Sequence, residues 1–491
     1  MTGLTSALNP GARPSGQHRR IVIVIAAIAS TGGLLFGFDT GVISGAIPYF
    51  QSRFQIGNDW VELITTAGLL GAVLGALSCG KLADMIGRKK VILSAAFVFA
   101  VGAVWSGMAG DARMLIAARF FLGSAIGVSS FAVPLYIAEI SPARTRGTLV
   151  SLFQLLITIG ILVSYFSDSA FALPEGAPGY AECWRPMFYV GVIPALIMFI
   201  GMLFLPETPR WLLRSGREDD CRAVLAKVED PAEVVEVIAR MKEETALEGE
   251  RRLRWSEAVR PWLRTPLIIA VGIMFVQQFT GINTIIYYSP KIFLMAGFEG
   301  ARAAIVASIS VGVVNVAFCV VSLFLVDRIG RRRLYFTGVS GMVAALVALS
   351  ACFVFQADLG SMVKPVTVAL VWIYCACFSV SLGPLGWLII SEVFPLNVRG
   401  IGSSIGSLSC WLFNGVVAFT FFKIVRALTI HGTDIVIAGD NLGNPAGAFG
   451  LYALVGLAGL AWGYFFIPET KGKSLEHIEE HWRGGKSPRE L

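Results

Sequence analysis

The chain has 491 residues, of which 55% are hydrophobic and only 15% are charged. A soluble protein of ordinary composition has about 25% charged residues, so a large soluble domain is excluded as the main part of the molecule. Glycine is abundant, with 53 residues, as in closely packed membrane helices. The net charge of +7 raises the question of nucleic-acid binding, which depends on where the basic residues lie.

Apolar stretches long enough to cross a bilayer, about 20 residues each, occur twelve times. They cover residues 21–48, 60–82, 90–110, 112–136, 148–170, 186–205, 266–290, 302–326, 334–356, 364–391, 399–426 and 446–467. The first run continues past the small residues 27–29, which favours a membrane span over a cleaved signal peptide. We therefore predict an all-α integral membrane protein with twelve transmembrane helices.

The basic residues are concentrated on one side of these spans. With twelve spans both termini lie on the same side, and the tails and loops of that side hold 31 of the 40 lysines and arginines. Because positively charged loops stay in the cytoplasm, we expect both termini to be cytoplasmic, in a cell membrane that short loops and tails suggest is a bacterial inner membrane. The basic stretches lack interleaved aromatic residues, which argues against nucleic acid as a partner.

One long charged segment divides the spans into two groups of six. Its stretch VLAKVEDPAEVVEVIARMKEE alternates apolar and charged positions at helical spacing, which predicts amphipathic helices in the cytoplasm. The predicted organisation has five segments: an N-terminal tail at 1–20, a first six-helix half at 21–205, a helical linker at 206–265, a second six-helix half at 266–467 and a C-terminal tail at 468–491.

The two halves repeat three motifs in the same order. The pairs are KLADMIGRKK (81–90) with FLVDRIGRRR (324–333), AEISPARTRG (138–147) with SEVFPLNVRG (391–400), and LPETPRW (205–211) with IPETKGK (467–473). Each pair follows the second, fourth or sixth span of its half, which indicates an internal duplication. Parallel six-span repeats are typical of alternating-access transporters, whose substrate site lies between the halves near the bilayer midplane.

These motifs, together with QQFTGIN and GPLGW, resemble those of the sugar porter family of the major facilitator superfamily over nearly the whole chain. Within that family the chain is most similar to bacterial proton-coupled sugar symporters. The resemblance implies the major facilitator fold and import of a monosaccharide, a hexose or pentose, together with a proton. A facilitative sugar uniporter and a proton-coupled carrier of inositol or another cyclic polyol remain as alternatives.

Two charged residues lie well inside the first six spans: Asp39 and Arg119. An isolated charge at the bilayer centre costs about 2.5–3.5 kcal/mol on insertion scales, so an acid and a base that are each costly alone suggest a pair. Burial favours a protonated Asp39, whereas a nearby arginine favours its carboxylate. Such opposing effects suit a proton switch, and proton-coupled members of the family carry this pair. A static structural ion pair is the alternative.

The seventh span contains a cluster of polar side chains: Gln277, Gln278, Asn283 and Tyr287. Amides both donate and accept hydrogen bonds, which suits the hydroxyls of a sugar, although single amides often only join helices. The resemblance assigns sugar contacts to these residues and to others elsewhere. The further expected substrate-binding residues are Phe36, Gln154, Asn315, Trp387, Trp411 and Asn414.

Two positions depart from many relatives. Cys410 stands where many members carry an amide that bonds the sugar, and Ser379 stands where some carry glutamate. These changes are expected to alter the preference for particular hydroxyls, so the identity of the sugar is left open.

A set of charged residues on the cytoplasmic side is expected to form a gate. Carboxylates that face arginines of the other half could hold the inner side closed, whereas positive-inside topology alone is the plainer explanation. The set comprises Asp84, Arg88, Glu139, Arg146, Glu207, Arg210, Asp327, Arg331, Glu392, Arg399 and Glu469.

No catalytic or metal centre is predicted, and no cofactor. The pattern His477-Ile-Glu-Glu-His481 fits a zinc peptidase motif, but it lies at the chain end without an evident third ligand. No nucleophile–base pair is evident, so the chain is not expected to be an enzyme. The expected partners are the monosaccharide, the proton and membrane lipids, with the protein acting as a monomer.

Overall fold

The structure is a computed structural model that describes residues 16–142, 145–229, 233–250, 260–394, 398–429, 435–437, 440–473 and 475–491. Within the described residues, twelve helical segments are long and apolar enough to cross a membrane. The predicted count of twelve spans is therefore confirmed. The segments form two groups of six, separated by a charged helical region.

The first group contains seven helices because its sixth span is divided at Gly191. They are α1 (Gly16–Phe54), α2 (Asn58–Ile86), α3 (Arg88–Gly107), α4 (Ala112–Ile140), α5 (Arg146–Phe171), α6 (Trp184–Val190) and α7 (Val192–Phe204). Within this half α1 packs on α5, and α2 packs on α4.

Three helices follow in the charged region: α8 (Pro209–Arg214), α9 (Glu218–Val228) and α10 (Val234–Glu250). In α9 the apolar residues Cys221, Val224, Leu225 and Val228 are buried, at the 3–4 residue spacing of one helix face. Three acidic residues lie in its first turn, where their negative charges interact favourably with the positive end of the helix dipole and stabilise the helix. The amphipathic pattern of the sequence thus forms helices, as predicted.

The second group contains helices α11 (Arg264–Phe279), α12 (Ile282–Met295), α13 (Ala301–Ile329), α14 (Arg331–Val354), α15 (Gln356–Leu359), α16 (Val363–Val380), α17 (Leu382–Val393), α18 (Arg399–Ala427) and α19 (Ala446–Phe466). The short helix α20 (Leu475–Arg483) follows. A pair of two-residue strands, Val436–Ile437 and Asp440–Asn441, lies in the loop before α19. This small ribbon is the one departure from the predicted all-α chain within the described residues.

Two spans of the second half are each broken near their middle. The seventh span divides into α11 and α12 at Gly281, whose φ is +90° and where a Cβ would lie 2.5 Å from the Tyr452 ring. Glycine is the residue that adopts such a φ without steric cost. The tenth span divides into α16 and α17 at Ser381. Broken membrane helices typically line binding cavities, because their freed backbone groups need polar partners.

The membrane-spanning helices end at two opposite sides of the molecule. The linker face is the side where α8–α10 and α20 lie, and the distal face is the opposite side, where α2 begins and α18 ends. Contacts between the halves join α2 to α18, α5 to α13 and α1 to α12. The α5–α13 contact includes Gly312, whose backbone lies close to Leu162 and Tyr165, in the distal part of α5.

Glycines allow the helices of the first half to approach closely. A Cβ on Gly127 of α4 would lie 2.0 Å from the carbonyl oxygen of Ala72 on α2, and one on Gly123 would lie 1.9 Å from that of Gly68. Small residues at such contacts bring the backbones together, which is the main source of packing energy between helices in a membrane.

We predict that Gly127→Ala lowers the thermal stability of the purified protein in detergent. The added methyl group has no space, and overpacking of this kind costs about 1–3 kcal/mol. Gly80→Ala on α2 is the matched control, since nothing lies within 4 Å of a Cβ there. An unfolding midpoint that is equal for both variants would contradict the packing shown here.

Candidate functional site

Asp39 of α1 and Arg119 of α4 form a buried, bidentate ion pair. The Arg119 Nη2 atom donates to Asp39 Oδ2 at 2.9 Å, and Nη1 donates to Oδ1. Asp39 is 5% exposed and Arg119 is 3% exposed. The pairing predicted from the two isolated charges is therefore present in the structure. Breaking a buried pair of this kind by removing one partner costs about 3–5 kcal/mol, because the remaining charge stays buried.

The arginine is held by its surroundings as well as by its partner. Its guanidinium carbon lies 5.8 Å from the centre of the Phe188 ring, within the range of a cation–π contact. Gly68 of α2 leaves the space in which the guanidinium sits, because a Cβ there would lie 3.2 Å from Nη2. Among the described residues, nothing accepts a hydrogen bond from the Arg119 Nε, so one donor of the arginine is available to another group.

A small cavity connects the ion pair to aromatic residues of both halves. Its volume of about 10 Å³ is close to the minimum for one water molecule. The residues that line it include Phe36, Asp39, Arg119, Tyr287 and Trp411. Phe36 and Trp411 are in contact, with ring centres 5.0 Å apart. Five of the residues predicted for proton coupling and substrate binding thus meet in one place.

The predicted amides of the seventh span form a hydrogen-bonded chain at its break. Asn283 Nδ2 donates to Gln278 Oε1 at 2.6 Å, and Gln278 Nε2 donates to Gln277 Oε1 at 3.0 Å. Gln277 Nε2 donates to the carbonyl oxygen of Leu382 at 2.7 Å, beside the break between α16 and α17. The two interrupted spans therefore face each other through these amides.

Cys410 of α18 joins this chain of amides. Gln278 Nε2 lies 3.3 Å from its sulfur, and the sulfur lies 3.9 Å from Gln277 Oε1. A thiol is a weak donor and a weak acceptor, so the amides keep most of their capacity to bond a ligand. Cys410, the position expected to alter the preference for particular hydroxyls, is thus part of the polar network.

The remaining predicted substrate residues divide into two groups. Asn414 Nδ2 donates to the Tyr287 hydroxyl at 3.1 Å, and Asn315 Oδ1 accepts from the Ser379 hydroxyl at 2.7 Å. Gln154 is half-buried on α5, and Trp387 is 40% exposed in the middle of α17. Within the described part of the chain, neither Gln154 nor Trp387 bonds to the amide chain. Their predicted contacts with a substrate stay untested.

The halves are joined at the distal face by a polar cluster that we call the distal seal. It comprises Asn58, Asp59 and Glu62 at the start of α2, Lys291 on α12, and Lys423 and Arg426 near the end of α18. Each contact crosses from the first half to the second.

Glu62 is the centre of the distal seal and is 0% exposed. Its carboxylate accepts hydrogen bonds from the backbone N–H of Phe422 at 2.7 Å and from the Lys423 ammonium. Asp59 pairs with Arg426, and the Lys291 ammonium donates to Asn58 at 2.6 Å. These contacts close the distal face above the Asp39 cavity.

The charged residues predicted as a gate form two clusters at the linker face. In the first half, Arg88 lies 3.1 Å from Glu139 and 3.0 Å from Asp84. Glu207 accepts from the backbone N–H of Arg88 at 3.1 Å and of Lys89. Burial raises the pKa of the Glu207 carboxyl above its ordinary value, while these backbone donors lower it.

The second half repeats the arrangement with its own residues. Arg331 lies 2.9 Å from Glu392 and 3.2 Å from Asp327. Glu469 accepts from the backbone N–H of Arg331 at 2.9 Å and of Arg332. The three-motif duplication read from the sequence is thus repeated in the contacts.

This pairing corrects one expectation. The carboxylates were expected to face arginines of the other half, but Arg88 and Arg331 each pair within their own half. The physical reason is that the halves meet near the distal face in this conformation. Of the other arginines, Arg146 is exposed and Arg210 is half-buried. The Arg399 side chain lies outside the described residues.

The sequence model of the family described as "Sugar (and other) transporter" matches residues 25–482. The chain belongs to this family. A D-xylose transporter of Levilactobacillus brevis is 37% identical over 91% of this chain and 93% of its own length. The major myo-inositol transporter of Bacillus subtilis is 35% identical over 95% and 96%.

The fold also matches a solved transporter structure. The proton:xylose symporter XylE, bound to 6-bromo-6-deoxy-D-glucose, superposes with a TM-score of 0.78 at 28% identity, covering 95% of this chain and 100% of that one. This chain is therefore a multi-pass membrane transporter with the major facilitator fold, and it is not an enzyme.

The distal seal was missed from the sequence of this transporter. Glu62 is two residues inside its predicted span, and Lys423 is three residues before the end of another, both near a boundary where charge is common. Their opposite charges at the same side of the membrane were the available indication. Nothing in the sequence pairs the second span with the eleventh.

We predict that Arg88→Ala lowers the unfolding midpoint more than Arg331→Ala. Glu139 is 5% exposed and Glu392 is 21% exposed, so loss of Arg88 leaves the more deeply buried carboxylate unpaired, at a cost of about 3–5 kcal/mol. Thermal unfolding in detergent measures both.

Arg240→Ala is the control, since the pair of Arg240 with Glu236 is exposed and contributes little. A midpoint for Arg88→Ala as high as that for Arg240→Ala would show that the buried cluster does not stabilise the first half.

Proposed function

We propose that the chain is a secondary active transporter that imports a monosaccharide, a hexose or pentose, together with a proton by alternating access. The observation that carries this proposal is the single cavity shared by the Asp39–Arg119 pair and by Tyr287 and Trp411. The titratable Asp39 and Phe36 of the first half meet Trp411 and the hydroxyl-bearing Tyr287 of the second half there. The names of the similar xylose transporters support the same substrate class.

The proposed orientation places both termini and the linker helices in the cytoplasm. The excess of lysine and arginine on that side supports it. The distal face is then the outside of the cell, and the structure has its outer side closed by the distal seal. Trp387, in the middle of α17, is 40% exposed, which supports access to the site from inside.

The proposed proton step occurs at Asp39. In the paired state its carboxylate accepts two hydrogen bonds from Arg119, and the attraction between the opposite charges holds the two side chains together. A proton from outside converts the carboxylate to a neutral acid, which removes the charge attraction and leaves Arg119 free to turn toward Tyr287 or the substrate. Because Asp39 lies on α1 and Arg119 on α4, this change alters the packing of helices that line the cavity.

The proposed sugar site is the chain of amides with its aromatic neighbours. Gln277, Gln278 and Asn283 now satisfy one another, and sugar hydroxyls can replace these bonds because they also donate and accept. Trp411 presents a flat apolar surface beside Phe36, suited to the C–H face of a pyranose. The break at Gly281 lies beside these amides, and the contact of Trp411 with Phe36 joins the halves, which supports a site at their interface.

The two clusters at the linker face are proposed to act as the cytoplasmic gate. Each holds a helix end of its own half in place, through Glu207 at α3 and Glu469 at α14. When the cytoplasmic ends approach each other, the clusters become neighbours and can exchange partners. A network at one mouth biases a two-state equilibrium even where each ion pair is weak.

We predict that Asp39→Asn abolishes accumulation of sugar against a gradient while sugar exchange across the membrane continues. The amide keeps the size of the side chain but cannot carry a transported proton. Uptake driven by a pH gradient in proteoliposomes measures accumulation, and counterflow of labelled sugar measures exchange.

Asp358→Asn, at an exposed position on the distal side, is the control and should accumulate sugar as the parent does. Concentrative uptake by Asp39→Asn would rule out Asp39 as the carrier of the coupled proton. Equal uptake by the parent with and without a protonophore would instead indicate a facilitative uniporter.

A cyclic polyol such as inositol is the second candidate substrate. The thiol of Cys410 lies within the amide chain, where it sets which hydrogen bonds remain open to a substrate, and the myo-inositol transporter of B. subtilis is 35% identical. A panel of labelled sugars and inositol, each with and without a protonophore, identifies the substrate.

We predict that Cys410→Asn changes the ratio of KM values among the transported sugars by about 2- to 10-fold, since one added hydrogen bond is worth about 0.5–1.5 kcal/mol. Cys410→Ser, which keeps a small donor and acceptor, is the control and should change the ratio less. An unchanged ratio for Cys410→Asn would place Cys410 outside the substrate site.

A further inference from the structure

Asp168 of α5 is a second buried acid that the proposed mechanism does not use. It is 0% exposed, and neither of its carboxyl oxygens has a hydrogen-bond partner among the described residues. It lies one turn from the distal end of its helix. A carboxylate in such a place would lose the hydration of its charge without compensation.

The position is shaped by a glycine on the neighbouring helix. A Cβ on Gly45 of α1 would lie 2.4 Å from Asp168 Oδ2 and 2.5 Å from its Cβ. Only glycine leaves room for the carboxyl group against the backbone of α1. Asp39 lies six residues before Gly45 on α1. The same helix therefore carries one buried acid and packs against the other.

The backbone N–H of Gly45 is the one group near Asp168 that could compensate a negative charge, and it forms no hydrogen bond with either carboxyl oxygen. Two tyrosines lie near Asp168, Tyr49 of α1 and Tyr165 of its own helix. Both phenolic protons are donated elsewhere, from Tyr49 to the carbonyl of Leu173 at 3.2 Å and from Tyr165 to that of Ile286 at 3.0 Å. The described residues of α4, α6, α12 and α13 place no charged group against it.

Tyr165 connects this site to the interface between the halves. The bond of its hydroxyl to Ile286 reaches α12, and its ring lies against Gly312 of α13. Both helices belong to the second half. Opening of the distal face would separate α12 and α13 from this part of α5 and would let water reach the neighbourhood of Asp168.

We propose that Asp168 is a second proton-binding site, which holds a proton while the distal face is closed and exchanges it with water on the distal side when the halves part. The step is the formation and loss of one O–H bond, with water as the donor and acceptor of the proton. The distal face closes only when this carboxyl is neutral. The proposal rests on the proposed transport function.

Infrared spectroscopy of the purified protein in lipid tests the protonated state. The carbonyl band of a protonated, weakly hydrogen-bonded carboxyl is expected in the parent at neutral pH and is lost in Asp168→Asn. Asp358→Asn is the control and should keep the band. A spectrum of Asp168→Asn identical to that of the parent in this region would show that Asp168 is ionised and would overturn the proposal.

Sugar counterflow tests the role in closure, in an Asp39→Asn background that removes the other acid. Above the pKa of Asp168 the neutral fraction falls about tenfold per pH unit, so exchange by Asp39→Asn should fall steeply as the outside pH is raised. Exchange by Asp39→Asn/Asp168→Asn should stay within about twofold over the same range. Profiles that coincide, or a flat profile for Asp39→Asn, would overturn the proposal.

Asp168→Ser, smaller and also neutral, replaces the asparagine variant if that variant does not fold. Failure of the transport function itself has a different signature, because then the parent shows no counterflow at any pH while the infrared comparison is unaffected.

Discussion

The bidentate ion pair between Asp39 and Arg119 is the constraint on which the rest of the site depends. Neither residue is tolerable alone in the middle of a membrane protein, so α1 and α4 are tied together as long as both are charged. The cavity lies beside this ion pair. It is also lined by Phe36 and Trp411, which contact each other. A change in the charge of one atom group can therefore alter the interface between the halves, which is what coupling requires.

The duplication explains why the molecule can move as two bodies. Each half carries its own arginine cluster at the linker face, where Glu207 and Glu469 accept equivalent hydrogen bonds from the backbone at the starts of α3 and α14. Because these bonds close within a half, they keep its shape while the partner half moves. Contacts between the halves near the distal face include the polar side chains of the distal seal, which water can replace when the face opens.

Much of this could be predicted from the sequence, for reasons that are physical. Twelve apolar stretches and three repeated motifs predict the fold, and the cost of isolated charges predicts the Asp39–Arg119 pair. The partners of Arg88 and Arg331 could not be predicted, because loop charges show on which side a residue lies but not which side is closed. The burial of Glu62 and Asp168 could not be predicted, because both residues lie near the ends of spans. At such positions the hydropathy pattern does not distinguish a solvent-exposed acid from a buried one.

The distal seal also has a consequence for biosynthesis. Glu62 enters the membrane with the second helix to be made, whereas Phe422 and Lys423, which supply its hydrogen bonds, belong to the eleventh. During the synthesis of some 360 intervening residues its carboxyl group has neither of these partners. The distal seal can therefore form only after α18 has been made, so closure of the distal face is a late step of assembly.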